Sequence, residues 1–238
     1  MKKDRFVGSY FDSMVTAHAR FSASEKVKAA FRGSLPGWAR RLLREYNEFV
    51  LRQTWNSFAR CRSVLDIGCG RGDFLRARPR GIEATGIDII EAEVAALRSE
   101  GLHVVQGDLL ELPFEDNSFD GVYISHVVEH LDRNELRRAL DEIRRVLRDG
   151  GIAVVRTPDF AKSYKDFYSD YTHVRPLTKK GLYRLLSDNG FRSVVVESGL
   201  HENSITRMFS FSKPIRFFLA KRLGSFFISD IVGIAEKR

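Results

Sequence analysis

The stretch Val64-Leu65-Asp66-Ile67-Gly68-Cys69-Gly70-Arg71-Gly72-Asp73-Phe74-Leu75 decides the fold. A short apolar run stops at a turn holding three glycines, and a helical pattern resumes behind it. Glycine reaches positive φ and carries no Cβ, so a ligand can come against bare backbone. The helix behind the turn presents N–H groups and the positive end of its dipole. The stretch predicts a strand, a turn and a helix that together receive a nucleotide-like cofactor.

Working outward, strand and helix patterns alternate. Strands are expected at 63–67, 84–89, 103–106, 119–125, 151–156 and 191–197, with a last strand near 228–235. Helices are expected at about 72–78, 91–100 and 132–147. In the last of these, Leu136, Leu140, Ile143 and Leu147 share one face. Thr178 reads as the N-cap of a helix over 179–189 that Gly190 closes. Such alternation predicts an α/β fold, a parallel sheet wound on both faces by right-handed crossovers, with an antiparallel hairpin at the end.

Charge divides the chain. Residues 1–62 hold 13 Lys and Arg against 5 Asp and Glu, a net of +8, whereas residues 63–238 hold 26 of each. We read residues 1–62 as a basic helical extension or active-site cap, and residues 63–238 as the cofactor-binding domain. Pro36 suits a helix start. Behind it Trp38, Leu42, Tyr46, Phe49 and Phe58 recur near helical spacing. Residues 1–34 read as short helices or an arm. Two cysteines, Cys61 and Cys69, make neither a disulfide framework nor a metal cluster. There is no apolar run of ~18 residues to cross a membrane and no apolar stretch of a secretory signal near the start. A cytoplasmic location is expected.

In an open parallel sheet, ligands bind beyond the carboxyl ends of the strands. Asp66, Asp88 and Asp108 stand at or just beyond three successive ends, and Ser125 and His126 follow the fourth. Asp88, 20 residues beyond Gly68, is placed to accept from ribose hydroxyls. Asp108 is placed to accept from an adenine amine, and Asp66 from an ammonium. The rival is a nicotinamide-binding loop, which reads G-x-G-x-x-G with a pyrophosphate over the helix start. Here the third glycine is Gly72 and Asp73 follows it. A carboxylate there is a poor neighbour for a pyrophosphate and a tolerable one for a cationic cofactor.

Taken together, these segments resemble the class I S-adenosylmethionine-dependent methyltransferases, in the branch that includes ubiquinone and menaquinone biosynthesis enzymes. The resemblance is carried by 66–72, by Gly86-Ile87-Asp88, and by Gly107-Asp108-Leu109 through Leu112-Pro113-Phe114-Glu115-Asp116-Asn117-Ser118-Phe119-Asp120. It continues through His126-Val127-Val128-Glu129-His130-Leu131 and Arg145 to Gly151. It implies a doubly wound, seven-stranded, mostly parallel sheet with the last strand antiparallel, and S-adenosyl-L-methionine as cofactor. By the same resemblance Gly68, Gly70 and Gly72 line the methionine part and Asp88 holds the ribose, with Asp66, Cys69 and Ile89 counted among the cofactor-binding residues. Asp108 and Leu109 frame the adenine, and the backbone near His126 approaches the sulfonium. Residues 199–227 read as an insertion before the last strand.

Methyl transfer needs a base only where the acceptor must lose a proton. His126, His130 and His173 are the candidates, since histidine takes up protons near neutral pH. Glu129 lies among them, but too few further ligands are apparent for a metal, and none is expected. The Asn-Pro-Pro-Tyr motif of planar-amine methylation is absent. An oxygen or acidic carbon on a small-molecule, lipid-linked or sugar acceptor is left. Two alternatives stand beside it: an RNA methyltransferase that uses the basic N-terminal segment, and a catalytically inactive cofactor-binding regulator. Aromatics between Phe160 and Tyr171 are placed to wall an acceptor pocket. The apolar and basic tail 209–227 suits either a packed helix or peripheral contact with a membrane.

Overall fold

Strand β1 (Ser63–Ile67) is apolar except for Ser63 and Asp66 and is buried along nearly its whole length. Such a strand belongs in the middle of a sheet covered on both faces. In the computed structural model, which describes residues 37–165, 167–198 and 230–238, it is the third of seven strands, held between two parallel neighbours. The others are β2 (Glu83–Asp88), β3 (Val104–Gln106), β4 (Phe119–Ser125), β5 (Leu147–Pro158), β6 (Phe191–Ser198) and β7 (Asp230–Lys237). The order is β3-β2-β1-β4-β5-β7-β6. The first five run parallel, and β7 lies antiparallel between β5 and β6. The order reverses beside β1, so the carboxyl ends of β1 and β4 flank the crevice where a ligand belongs.

The helices are α1 (Gly37–Asn56), α2 (Asp73–Arg76), α3 (Glu91–Ser99), α4 (Arg133–Val146), α5 (Phe160–Ser163) and α6 (Lys179–Asp188). Helix α4 shows why sequence suffices there. Asp132 accepts from the N–H groups of Asn134 and Glu135, and Glu135 answers by accepting from the Asp132 N–H. That capping box fixes the start, and Leu136, Ala139, Leu140, Ile143 and Val146 are buried along one stripe. Thr178 caps α6 through a 3.2 Å bond from the Gly181 N–H.

Contacts divide the chain into residues 1–50 and 51–238, so the second unit begins ahead of the charge break at 62. Of the first unit the described part is the helix backbone from residue 37. In the second, Trp55, Phe58 and Cys61 are buried in one apolar cluster with Val64, Phe74 and Tyr123. Trp55 stacks on Phe74 with ring centroids 4.1 Å apart, and its indole N–H donates to the Phe74 carbonyl at 3.0 Å. Gly121 of β4 leaves the space that Phe58 fills: a Cβ there would meet the Phe58 ring at 2.6 Å.

Several expectations shift. Helix α2 is one turn rather than the expected 72–78. Strand β5 starts at Leu147, which pairs with Phe119 ahead of the Gly150-Gly151 bulge, and ends at Pro158, which pairs with Asp230. The segment from Phe160 to Tyr171 is not a plain loop but carries α5 and a 3₁₀ turn over Phe167–Ser169. The short helices or arm expected in 1–34, the tail 209–227 and the insertion 199–227 lie outside the described residues.

Candidate active site

The glycine turn is built from the backbone outward. Gly68 and Gly72 have φ of 70° and 74°, values that residues with a Cβ rarely adopt. Both are also crowded. A Cβ at Gly68 would meet the Val127 side chain at 2.6 Å, and one at Gly72 would meet Leu97 at 2.7 Å. The N–H groups of Gly68 and Cys69 donate to the Ile87 carbonyl, and that of Gly72 to the Cys69 carbonyl. The Gly70 N–H donates to Asp88 Oδ2 at 2.8 Å. The turn thus spends four of its donors inside the protein. Helix α2 is a single turn with no side-chain cap at its start, a short stub beside the helix over which a pyrophosphate sits in a nicotinamide site.

Three carboxylates stand at or just beyond the strand ends beside the turn. Asp66 ends β1 and is 3% exposed. Burial first, and then the charges of Asp88 and Asp73, raise its pKa well above the ordinary carboxylate value. A cation is what such a group lacks. Asp88 ends β2 with its second oxygen held by the Ile90 N–H at 3.0 Å. Each of its oxygens keeps a lone pair for a ribose hydroxyl. Ile89, half-buried, follows it. Asp108 accepts from the Leu110 N–H at 2.8 Å, which turns the chain so that Leu109 is buried beneath it. The Cys69 side chain is buried in the core cluster, and a Cβ on Gly86 would meet its sulfur at 2.8 Å. Burial pushes its thiol pKa up, so Cys69 contributes backbone to the turn and no reactive sulfur.

The three histidines do not act alike. His126 follows β4 with φ of 55°. Its Nδ1 faces Glu129 at 3.2 Å and its Nε2 faces Asp230 at 3.3 Å. Two carboxylates need two donors, so the ring is an imidazolium. Burial works against that charge, but Asp230 and Glu129 outweigh it and the pKa is pushed up to about 10. A ring held in that form has no lone pair with which to take a proton, which argues against His126 as the base. Asp230, missed in the sequence, also accepts from Arg156 at 2.7 Å.

His130 and His173 come together instead, with ring centroids 4.8 Å apart. The turn Val128–His130 and the loop before α6 are joined there, since the N–H groups of Val174 and Arg175 both donate to the Glu129 carbonyl at 2.9 Å. Burial, which outweighs the attraction of Glu129, lowers the His130 pKa. Thr172 and Asp170, also missed in the sequence, set the His130 ring. The Thr172 hydroxyl donates to Asp170 at 2.6 Å and lies 2.9 Å from His130 Nδ1. The Phe167 carbonyl lies 2.8 Å from His173 Nδ1. Around them Phe167 is buried, while Tyr164, Tyr168 and Tyr171 are exposed.

The strand order and the acid-lined glycine turn define a Rossmann-like methyltransferase fold. A family model described as a methyltransferase domain matches residues 65–155. The crystal structure of a SAM-dependent methyltransferase from Archaeoglobus fulgidus is similar at a TM-score of 0.62 and 32% identity, covering 82% of this chain and 94% of that one. A methyltransferase-family protein of Encephalitozoon cuniculi is 36% identical over 171 residues, 63% of this chain and 79% of its own. A demethylmenaquinone methyltransferase of Staphylococcus aureus is 40% identical over 100 residues, 38% of this chain and 41% of its own. The chain belongs to the S-adenosylmethionine-dependent methyltransferases, and S-adenosylmethionine is its cofactor. The residues present fit that cofactor, since Gly70 offers bare backbone with no other atom closer than 4.0 Å to where its Cβ would stand, and Asp66 is a buried acid in want of a cation. No described helix is long and apolar enough to cross a membrane.

Proposed function

We propose that the protein methylates an oxygen or an acidic carbon of a small-molecule, lipid-linked or sugar acceptor. The observation that carries this reading is the pair His130 and His173. In both rings Nδ1 is bonded to protein oxygens, which leaves Nε2 free to take a proton. S-adenosylmethionine, when bound, supplies an activated methyl group. The chain's own residues position and deprotonate. Asp66, Asp88 and Asp108 orient the cofactor along the ends of β1 to β3. Imidazolium His126, pinned between Glu129 and Asp230, keeps the turn after β4 in one conformation. The acceptor's proton passes to Nε2 of His173 or His130, and the exposed rings of Tyr164, Tyr168 and Tyr171 offer it an apolar wall. The likeness to a demethylmenaquinone methyltransferase over part of the chain supports an acceptor of that general size.

His173→Ala is expected to lower kcat by about 100-fold, the usual reach of a general base, while cofactor affinity stays within about twofold. A screen of phenol, catechol, sugar and quinol acceptors read by radiolabelled methyl transfer checks this. Full kcat in the variant across pH 6–9 would refute the base role. Methylation of RNA is the second reading, favoured by the net +8 of residues 1–62. It requires RNA binding that weakens steeply with salt, and salt-independent or absent binding removes it.

A further inference from the structure

We propose that Glu129, His130 and His173 bind a divalent transition-metal ion, which takes the acceptor's oxygen as a further ligand. The proposal rests on the methyl transfer proposed above, narrows the acceptor from oxygen or carbon to a hydroxyl, and gives Nε2 of His130 and His173 to the ion in place of the acceptor's proton.

One ring nitrogen from each histidine and a Glu129 carboxylate oxygen lie within 4.8 Å of one another, the one such group among the described residues. Hydrogen bonds decide which nitrogen of each ring carries a lone pair. A carbonyl oxygen only accepts, so His173 Nδ1, 2.8 Å from the Phe167 carbonyl, carries the proton. In His130 the Thr172 hydroxyl gives its own proton to Asp170 at 2.6 Å. It is left as an acceptor towards His130 Nδ1 at 2.9 Å, beside the Thr172 carbonyl at 3.3 Å. Both rings are therefore fixed as the Nδ1–H tautomer, with Nε2 bearing a lone pair.

The carboxylate is fixed as well. Glu129 is fully buried. Its Oε1 accepts from His126 and its Oε2 from the Thr157 hydroxyl at 3.1 Å. The cluster thus gathers two imidazole lone pairs and a buried carboxylate with no donor among the three. A metal ion would take the lone pairs that these hydrogen bonds leave unused. Neutral imidazoles whose Nδ1–H is held by protein oxygen are also what metal sites use to orient their ligands. Two imidazoles and one carboxylate suit a first-row transition ion and leave open positions, whereas Mg²⁺ and Ca²⁺ favour oxygen ligands throughout. Ligands about 2.1 Å from one ion sit roughly 3–3.5 Å apart, so binding draws the three groups together by about 1–2 Å. His126, with both nitrogens donating to carboxylates, is no ligand.

Bound there, the ion would lower the pKa of an acceptor hydroxyl, whose proton leaves to solvent. This replaces the histidine base with a Lewis acid at the same place.

The test is titration of the EDTA-treated full chain with Co²⁺, followed by visible absorption. One equivalent is expected to produce a saturable d–d band, which one equivalent of Zn²⁺ displaces and millimolar Mg²⁺ does not. His173→Ala, at a half-buried position, is expected to weaken Co²⁺ binding at least 100-fold with the circular dichroism unchanged. Glu129→Gln is expected to do the same if it folds. Thr172→Val leaves every ligand in place and is expected to weaken it about tenfold. The absence of a saturable band, or a band that survives His173→Ala, overturns the ion. So does methylation of a hydroxyl acceptor at full rate in EDTA by a chain that binds no Co²⁺, although methyl transfer itself then stands. Co²⁺ held by these residues in a chain that turns over no hydroxyl acceptor supports the ion and overturns the acceptor reading.

Discussion

Asp66 carries the sharpest tension at the scale of single residues. It is buried at the end of β1, with Asp88 and Asp73 as charged neighbours, and its folded pKa is well above the ordinary value. A raised folded pKa means that the group's contribution to stability is complete below the unfolded value of about 3.9. It is lost as pH rises through the folded value. At neutral pH the free protein therefore carries the cost of a buried acid that binding relieves. Asp66→Asn keeps the shape and removes the charge. We expect it to raise stability without cofactor by about 1–3 kcal/mol, the cost typical of a buried polar group left uncompensated. We also expect it to flatten the pH dependence of the unfolding midpoint above pH 4, and to weaken cofactor binding about tenfold or more. Urea unfolding from pH 4 to 8 and calorimetry with S-adenosylmethionine read these out. A variant less stable than the parent, or one that binds equally well, contradicts the role. Asp66, Asp88 and Asp108 were legible in the sequence because strand ends are local signals and an acid there is conspicuous. Asp230 was not. Its distance from His126 is set by the antiparallel insertion of β7 beside β5, and nothing near residue 230 in the sequence says so. The imidazolium state of His126 was hidden with it.

At the scale of elements, the segment between β3 and β4 carries Asp108 and Leu109 but has little regular structure of its own. Arg145, on the last turn of α4, holds it. Its guanidinium donates to the carbonyls of Leu112 and Phe114 at 2.9 and 2.7 Å and pairs with Asp116 at 2.9 Å and Glu142 at 2.8 Å. The Leu112 N–H donates in turn to Glu142 at 2.7 Å. A planar fork with five donors suits this pattern, and an ammonium does not. Arg145→Lys is expected to cost about 2 kcal/mol, within the range for hydrogen bonds to a charged group and discounted for the partly exposed side chain. It is also expected to weaken cofactor binding several-fold by loosening the adenine side while leaving kcat nearly unchanged. Denaturation midpoints and a separate measure of KM for cofactor and kcat decide it. Equal losses in KM and kcat would point to a wider disturbance. The helix itself was legible, since capping box and apolar stripe are both local. The extent of β5 was not, because its ends are paired with Phe119 on one side and Asp230 on the other, across a bulge that reads in sequence as a turn. The loop from Phe160 to Tyr171 hid a helical turn and a 3₁₀ turn for the same reason: Phe167 is buried by contacts with Phe160 and His173 rather than by any periodicity.

At the scale of the whole molecule, charge and packing place the boundary differently. The basic excess ends at residue 62, whereas the compact unit begins at Leu51. Charge counts respond to the surface, and the boundary of a core does not. Trp55 and Phe58 lie within the basic stretch, yet both are buried against Phe74, with Phe58 filling the space over Gly121. Losing a buried aromatic typically costs about 3–5 kcal/mol, so losing both costs roughly 6–10 kcal/mol. A domain of this size is usually stable by only about 5–15 kcal/mol. A chain that starts at Leu51 is therefore expected to fold cooperatively and to bind S-adenosylmethionine within about threefold of the full chain. A chain that starts at Ser63 is expected to be unfolded or to melt well below the parent, although it retains every residue assigned to the cofactor. Circular dichroism melts and calorimetry on the two truncations separate the cases. A stable, cofactor-binding chain from Ser63 would mean that the aromatic cluster is dispensable and that the charge break marks the domain. Failure of the chain from Leu51 would mean that residues 1–50 take part in folding the sheet.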